Sequence, residues 1–363
     1  MHIRRLQIQS LRSLDDVRIE LESGLNLLIG PNGAGKSSVL EAVYLLSHGR
    51  SFRSGAREAL IQRGRDGLSI FAEVSDTAER HHRLGLGRQG GRWQAHIDGE
   101  AGRNMGELVA HCAAICFEPG SHALIAGPAE ERRRYLDWGV FHVEHTFLMH
   151  WRRYQRALRQ RNATLRVQGR MLDASALEPW EAEMSRAGEA VESARRDYID
   201  RLRPHLDQHL HALVPELGAV RLEYRRGWSE EQALGEALEQ RRERDAMRGH
   251  TATGPHRADW HVVFEHAPQR EHLSRGQEKL CAMGCMLAQG SLYAESSGSW
   301  PIVCLDDLAS ELDQAHQRSV AAALASVQAQ VLITGTDFVP ALDGIDATLF
   351  HVEHGDVRRH PPT

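Results

Sequence analysis

Residues 28–46 read "LIGPNGAGKSSVLEAVYLL". An apolar run ends at Ile29, a turn rich in glycine follows with one lysine in it, and Val39, Leu40, Val43 and Leu46 then recur at helical spacing. This predicts a buried strand over Leu25 to Ile29, a tight turn and an amphipathic helix. Gly30, Gly35, Lys36 and Ser37 satisfy G-x-x-x-x-G-K-[ST], and they do so between a predicted strand and a predicted helix, the context in which that pattern binds phosphate. Glycines let successive backbone N–H groups turn inward around an anion, and the helix start adds its partial positive charge. Lys36 would stand near the β and γ phosphates, and the Ser37 hydroxyl suits a Mg²⁺ ion. The candidate nucleotide-binding segment is thus Gly30, Pro31, Asn32, Gly33, Ala34, Gly35, Lys36, Ser37 and Ser38.

Lysine is otherwise almost missing. Of 44 basic residues only Lys36 and Lys279 are lysines. A compact ammonium on a thin stem fits a curled loop where a broad guanidinium does not.

Working outward, alternation at Leu6 and Ile8, and at Val17, Ile19 and Leu21, predicts two half-buried strands before the loop. The stretch from about 84 to 106 is rich in glycine and reads as hairpins, closed by the apolar run "LVAHCAAICF". Texture changes near residue 129, where a helical period runs almost free of Gly and Pro. A second helical stretch at about 173–213 follows the break "QGRMLD", and a charged helix at about 229–247 leads to a strand in "ADWHVVFEH". Beyond, a helix from about 275, a strand at 302–305, a helix at about 314–328 and a strand at 331–334 return to α/β order. The expectation is an α/β P-loop domain split by an inserted helical lobe, with parts 1–125, 126–248 and 249–363.

A chain of 363 residues is long enough for such a two-lobed design. The formal charge of −5 points to no particular polyanion. No apolar run reaches the roughly 18 to 20 residues that a membrane span needs, and "MHIRRLQIQSLRS" lacks the core of a secretory signal. Cytoplasmic residence is the default expectation. Cys112 with Cys116 and Cys281 with Cys285 are spaced C-x-x-x-C without a histidine pattern, so buried thiols in a reducing compartment are a better reading than zinc.

A phosphate loop alone does not separate kinases, GTPases and ATPases. "PIVCLDDLASELD", residues 301–313, is an apolar strand ending in two carboxylates. Asp306 suits the Mg²⁺ shell, and Asp307 is placed to polarise an attacking water. "EHLSRGQEKLCAMGCMLAQG" puts Ser274, Gly276 and Gln277 at the start of a helix whose apolar face includes Leu280, Met283, Leu287 and Ala288. By itself S-x-G-Q is an N-cap and a turn.

Together these blocks resemble the ATP-binding cassette ATPases, in the SMC and Rad50-like branch. "LSRGQ" matches the signature, "IVCLDD" the Walker B strand and "SELD" the loop that contacts a second subunit. "GPNGAGKSSVLEAVYLLSHGRSFRSG", "GPAEERRRYLDW", "TGPHRADW", "LSRGQEKL" and "CLDDLASELD" resemble blocks of the RecF family of DNA replication and repair proteins, in the order found there. The resemblance implies ATP and Mg²⁺ as cofactors, with Lys36, Asp306 and Asp307 catalytic and Ser37 and Asp306 on the metal. It also implies an ATP-dependent homodimer closed head to tail, in which Ser274 and Gly276 of one copy meet the γ-phosphate held by the other. Partners implied are double-stranded DNA at gaps and single-strand/double-strand junctions, RecR, and RecO and RecA downstream. Three departures imply slow, regulated hydrolysis: Asp307 stands where glutamate is usual, Thr336 where a switch histidine would lie, and Glu118 where a glutamine is expected. The gap from Lys36 to Ser274 is about twice that of transporter ATPase subunits, and the helical insert lacks the sustained heptads of a Rad50-like tether.

From His145 to Arg170 there are seven arginines and no acid. Arg152, Arg156 and Arg159 fall on one helix face, either a stripe for DNA phosphates or a solvated surface. Arg53, in "SFRS", resembles the arginine loop of SMC heads. His256 and Arg257 in "GPHR" serve either a ligand or only their turn. No helix-turn-helix, zinc finger or basic zipper appears, which excludes the usual base-reading modules.

Overall fold

The structure is a computed structural model. It describes residues 1–53, 60–75, 80–102, 104–168, 173–308, 314–325, 327–337 and 346–360. In chain order these form β1 (His2–Leu11), β2 (Leu14–Glu20), β3 (Leu25–Ile29), α1 (Lys36–His48), β4 (Gly67–Ser75), β5 (His81–Gln89), β6 (Arg92–Ile97), β7 (Glu100–Ala101), α2 (Met105–Ala110) and β8 (Ala114–Phe117). A helical stretch follows: α3 (Ala123–Ala126), α4 (Ala129–Val143), α5 (Phe147–Gln168), α6 (Glu178–Leu213), β9 (Val220–Arg225), α7 (Leu234–Gln240), α8 (Arg242–Arg248) and β10 (Asp259–Phe264). The chain then adds α9 (Arg275–Ser297), β11 (Ile302–Leu305), α10 (Gln314–Ala325), β12 (Val331–Gly335), β13 (Ala347–Glu353) and β14 (Asp356–Arg359). It divides into two compact units. One holds Met1–His122, Ala212–Val214 and Arg275–Thr363, the other Ala123–His211 and Pro215–Ser274.

The first unit carries two sheets. An antiparallel sheet in the order β2-β1-β4-β5-β6-β7 buries one face. Its inward residues include Leu6, Ile8, Val17, Ile19, Ile70, Ala72, Leu84 and Leu86, the period-2 alternation that the sequence showed for β1 and β2. The second sheet runs β14-β13-β3-β12-β11-β8, and every pairing from β13 to β8 is parallel. β8, β11 and β12 are buried along their whole length, as befits strands covered on both faces. That is why they read as unbroken apolar runs. The five cysteines are buried thiols, and burial pushes Cys112 up to about 12. Cys116 and Cys304 stand opposite each other on β8 and β11.

The order within this sheet positions the chemistry. β3 leads into the phosphate loop and β11 into the two aspartates, and β12 lies between them. In an open parallel sheet ligands bind at the carboxyl ends of the strands, so a side chain at the end of β12 falls between loop and acids.

The second unit is the helical lobe together with the antiparallel pair β9 and β10. One cluster in its core packs Tyr154, Ala157, Leu158, Met184, Ala187, Leu234 and Leu238, and the unit also holds buried ion pairs. Arg161, fully buried, bonds Asp245 and Thr251 at 2.8 Å each and contacts Glu181. Arg195 forks onto Asp137 and donates to the Pro255 carbonyl. The expected helix at 229–247 is two, α7 and α8, broken at Arg241, and the Leu238 carbonyl near that break accepts from Arg161. The boundary drawn at 248 differs from this division, which carries the second unit to Ser274. β10 cannot part from β9 without losing its ladder. Residues 169–172 of the break between α5 and α6 lie outside the described residues.

Candidate nucleotide-binding site

Gly35 caps α1 with φ 116°, and Lys36 opens the helix. A left-handed cap aims the following N–H groups at the loop's interior, and only glycine adopts it cheaply. Gly30 is fixed by space instead: a Cβ there would sit 1.9 Å from the Val352 carbonyl oxygen of β13. Lys36 is 8% exposed. Its Nζ donates to the carbonyls of Gly30 at 2.7 Å and Pro31 at 2.9 Å, so the ammonium is folded back over the loop. Burial lowers its pKa, while Asp307 and Asp306 pull it back up. A cation held this way gains when a phosphate replaces the two neutral carbonyls.

The acids arrive from the other side. The Asp306 N–H bonds the Phe117 carbonyl at 2.8 Å, and Asp306 itself is 5% exposed. Asp307 has φ 54°, a left-handed conformation that Asp tolerates better than most residues. Thr334, at the end of β12 and fully buried, ties the pair together. Its hydroxyl donates to Asp306 Oδ1 at 2.7 Å and accepts from the Asp307 N–H at 2.9 Å.

These groups line one cleft of ≈ 240 Å³, with Asn32, Gly33, Gly35, Lys36, Ser37 and Ser38 on the loop side, and Asp306, Asp307 and Thr334 on the other. Arg12, Ser13 and Arg53 complete the wall. Ser37 and Asp306 offer hard oxygen donors beside a buried ammonium in this cleft, chemistry that would suit a magnesium–polyphosphate pair. The sequence reading assembled the loop and the acids but missed Arg12, Ser13 and Thr334. Of these only Thr334 carried a readable signal, a hydroxyl in an apolar strand next to the acidic one.

Other candidates stand elsewhere. Gly276 and Gln277 lie in the first turn of α9, just after Ser274; Ser274 and Gly276 are exposed, and neither Gly276 nor Gln277 lines the cleft. Lys279 is half-buried one turn further on. The carboxylate of Glu118 accepts from the Gly120 N–H within its own turn, and Thr336 follows β12. "SELD", 310–313, lies outside the described residues.

In the helical lobe the arginine stripe resolves into different roles. Arg152, Arg156 and Arg159 are exposed on α5. Arg153 forks onto Glu183 and Arg161 is buried, while Arg170 lies outside the described residues. His256 accepts from or donates to Tyr154 Oη at 2.6 Å through Nδ1 and bonds the Thr251 carbonyl through Nε2 at 3.0 Å. Because a carbonyl only accepts, Nε2 carries the proton and Nδ1 takes the tyrosine's.

Comparison with known proteins follows the same lines. Residues 2–339 match the family described as the RecF/RecN/SMC N terminal domain. The "DNA replication and repair protein RecF" of Xanthomonas euvesicatoria pv. vesicatoria (strain 85-10) is 48% identical over 368 residues, covering 99% of each chain. That of Azotobacter vinelandii (strain DJ / ATCC BAA-1303) is 39% identical over 362 residues, covering 98% of each. Among solved structures, the recombination mediator protein RecF with ATP in the RecFOR pathway superposes with TM-score 0.89 at 23% identity, covering 99% of this chain and 97% of that one. An SMC head bound to the C-winged helix domain of ScpA gives TM-score 0.58 at 14% identity, covering 99% and 97%. No helix among the described residues is long and apolar enough to cross a membrane.

Proposed function

The chain belongs to the RecF group of the RecF/RecN/SMC family of DNA replication and repair proteins, and on that premise we propose that it is an ATP-dependent DNA-binding recombination mediator. ATP closes two copies into a dimer, the dimer binds double-stranded DNA at gaps and junctions, and with RecR it promotes RecA loading, RecO acting in the same pathway. The observation that carries this reading is the division of the triphosphate machinery. Lys36, Ser37, Asp306 and Asp307 share one cleft, whereas Gly276 of the signature turn is exposed and outside its lining. A second copy that brings Ser274 and Gly276 to the γ-phosphate would complete the anion cage with a helix N-terminus. A ligand gripped by two copies favours the dimer, and its hydrolysis releases it.

Ser37 and Asp306 are the residues that would hold Mg²⁺, whose charge supplies stabilisation of the phosphates' developing negative charge. Asp307 takes the proton-accepting position at the attacking water, and its carboxylate is one methylene shorter than the usual glutamate. Hydrolysis is accordingly slow and is stimulated by DNA, so the protein acts as a timed clamp in the cytoplasm rather than as a metabolic enzyme. The exposed Arg152, Arg156 and Arg159 follow the DNA backbone, which suits recognition of duplex form over base sequence.

Gel filtration of the protein and of Lys36→Met, each with and without ATP and Mg²⁺ and with duplex DNA added, tests the clamp. ATP is expected to shift the wild type to a dimer and to leave the variant monomeric. A wild type that stays monomeric at every nucleotide concentration refutes it. Replacing Arg152 and Arg156 together by Glu weakens DNA binding and flattens its dependence on salt; unchanged affinity reassigns the stripe to solvent.

A further inference from the structure

Two backbone groups from opposite ends of the chain meet at the phosphate loop. The Gly355 N–H donates to the Ala34 carbonyl at 2.9 Å, and neither residue lines the cleft. Gly355 belongs to the two-residue turn between β13 and β14. Glu353 and Asp356 pair across it, and both residues of the turn are left-handed, His354 at φ 47° and Gly355 at φ 82°. His354 and Asp356 are exposed, whereas Gly355 is buried. It has no room for a side chain: a Cβ there would stand 2.4 Å from the Ser13 carbonyl oxygen of the β1–β2 turn.

The direction of this bond matters for the site. In a trans peptide the carbonyl and the next N–H point opposite ways. With the Ala34 oxygen held by the hairpin, the Gly35 N–H is turned away from it, and Gly35 lines the cleft. The Ala34 N–H is engaged as well, donating to the Pro31 carbonyl at 3.2 Å inside the loop. Gly35 alone would not hold this orientation. It sits at φ 116°, and glycine takes either sign of φ, so an unbraced Ala34–Gly35 peptide is free to flip.

We propose that Gly355 is a positioning residue for the phosphate loop: through the Ala34 carbonyl it keeps the Ala34–Gly35 peptide from flipping, and so keeps the Gly35 N–H aimed at the phosphates. The proposal rests on the reading of the cleft as an ATP site. Gly355 itself touches no nucleotide. Bound phosphates grip one side of the peptide and the hairpin grips the other, and hydrogen bonds at the two ends of one peptide polarise it in the same sense. Linkage makes the effect mutual, so nucleotide also fastens the hairpin to the loop.

A role limited to closing the hairpin would lower stability alone. Gly355→Ala is therefore compared with Val357→Ala, which trims a buried side chain of β14 and leaves the Gly355 N–H in place. Thermal unfolding and steady-state ATP hydrolysis with Mg²⁺ are measured for both variants and the wild type. Gly355→Ala is expected to raise KM for ATP about tenfold. Its kcat stays within about twofold, because the loop grips ground state and transition state alike. Val357→Ala is expected to lower the melting temperature and leave KM unchanged. A Gly355→Ala protein with wild-type KM overturns the inference, and so does a KM that rises in both variants in step with their loss of melting temperature. Should Gly355→Ala not fold, the wild type decides. Labelled with ¹⁵N-glycine, its Gly355 amide is expected to exchange with solvent about tenfold more slowly once a non-hydrolysable ATP analogue and Mg²⁺ are bound, and an unchanged rate refutes the coupling. ATP binding that is absent from the wild type, or that survives Lys36→Met unaltered, sinks the nucleotide reading itself, a distinct result.

Discussion

Replacing Thr334 by valine removes one oxygen and tests how the acidic end of the site is held. The side chain is fully buried and valine matches its shape, so no cavity opens. Two bonds disappear: the one donated to Asp306 Oδ1 at 2.7 Å and the one accepted from the Asp307 N–H at 2.9 Å. A hydrogen bond to a charged partner contributes about 1.5–3 kcal/mol and a neutral one about 0.5–1.5 kcal/mol. Asp306 is 5% exposed and cannot recover the loss from water in place, so a destabilisation of about 2–4 kcal/mol is expected. The functional cost follows from the same atom. A carboxylate that holds a metal depends on its outer partner for orientation, and loss of such a partner costs about 10–100-fold in metal affinity. Urea unfolding and the Mg²⁺ concentration for half-maximal ATP hydrolysis measure the two effects, and Thr334→Ser, which keeps the hydroxyl, is expected to restore most of both. A valine variant with wild-type stability and wild-type Mg²⁺ requirement would refute the role given to this hydroxyl.

Gly30→Ala places a methyl 1.9 Å from the Val352 carbonyl, so the strand end or the loop must move. Overpacking of this kind costs about 1–3 kcal/mol or more, and ATP binding is expected to fall with it; a variant that titrates ATP normally contradicts the packing. His256 in the helical lobe is held down to about 4 by burial, with Arg257, Arg133 and Arg195 adding to the effect and the Thr251 carbonyl opposing it. The unfolded chain then binds a proton that the folded one refuses. Stability is lost as pH falls from about 6.5 to about 4, by roughly 3 kcal/mol from this group. Urea unfolding of the wild type should lose more stability across that window than His256→Gln does, and parallel curves would show that the histidine is not responsible.

Much of the first unit was readable because its signals are local. The loop from Gly30 to Ser38 announces itself by composition, and β3, β8, β11 and β12 announce themselves as apolar runs because helices or a second sheet cover both their faces. Asp306 and Asp307 were recognisable because they end such a run. Arg12 was not: it sits in a short turn in a chain full of arginines, and it is forked onto Glu41, whose helix position gives no sign that its carboxylate is fully buried. The arginine stripe shows the same limit in reverse. Seven arginines share one compositional signal, yet Arg161 is a buried ion-pair partner, Arg153 is paired to Glu183, and Arg152, Arg156 and Arg159 face solvent. Helical period assigns a face but not the charge across from it.

The chain's own sequence determined that a phosphate loop joins a buried strand to a helix, that two carboxylates end a second buried strand, and that a helical lobe interrupts the domain. These follow from side-chain period and backbone freedom within a dozen residues. Which strand separates the loop from the acids, and hence that Thr334 bonds both aspartates and that Glu41 gathers Arg12 and Arg53, was decided only by the parallel order β3-β12-β11 and by the turn of β1 and β2 against α1. Those partners are far apart along the chain, and a bond between distant residues exists only once the entropy of bringing them together has been met by the packing of everything between.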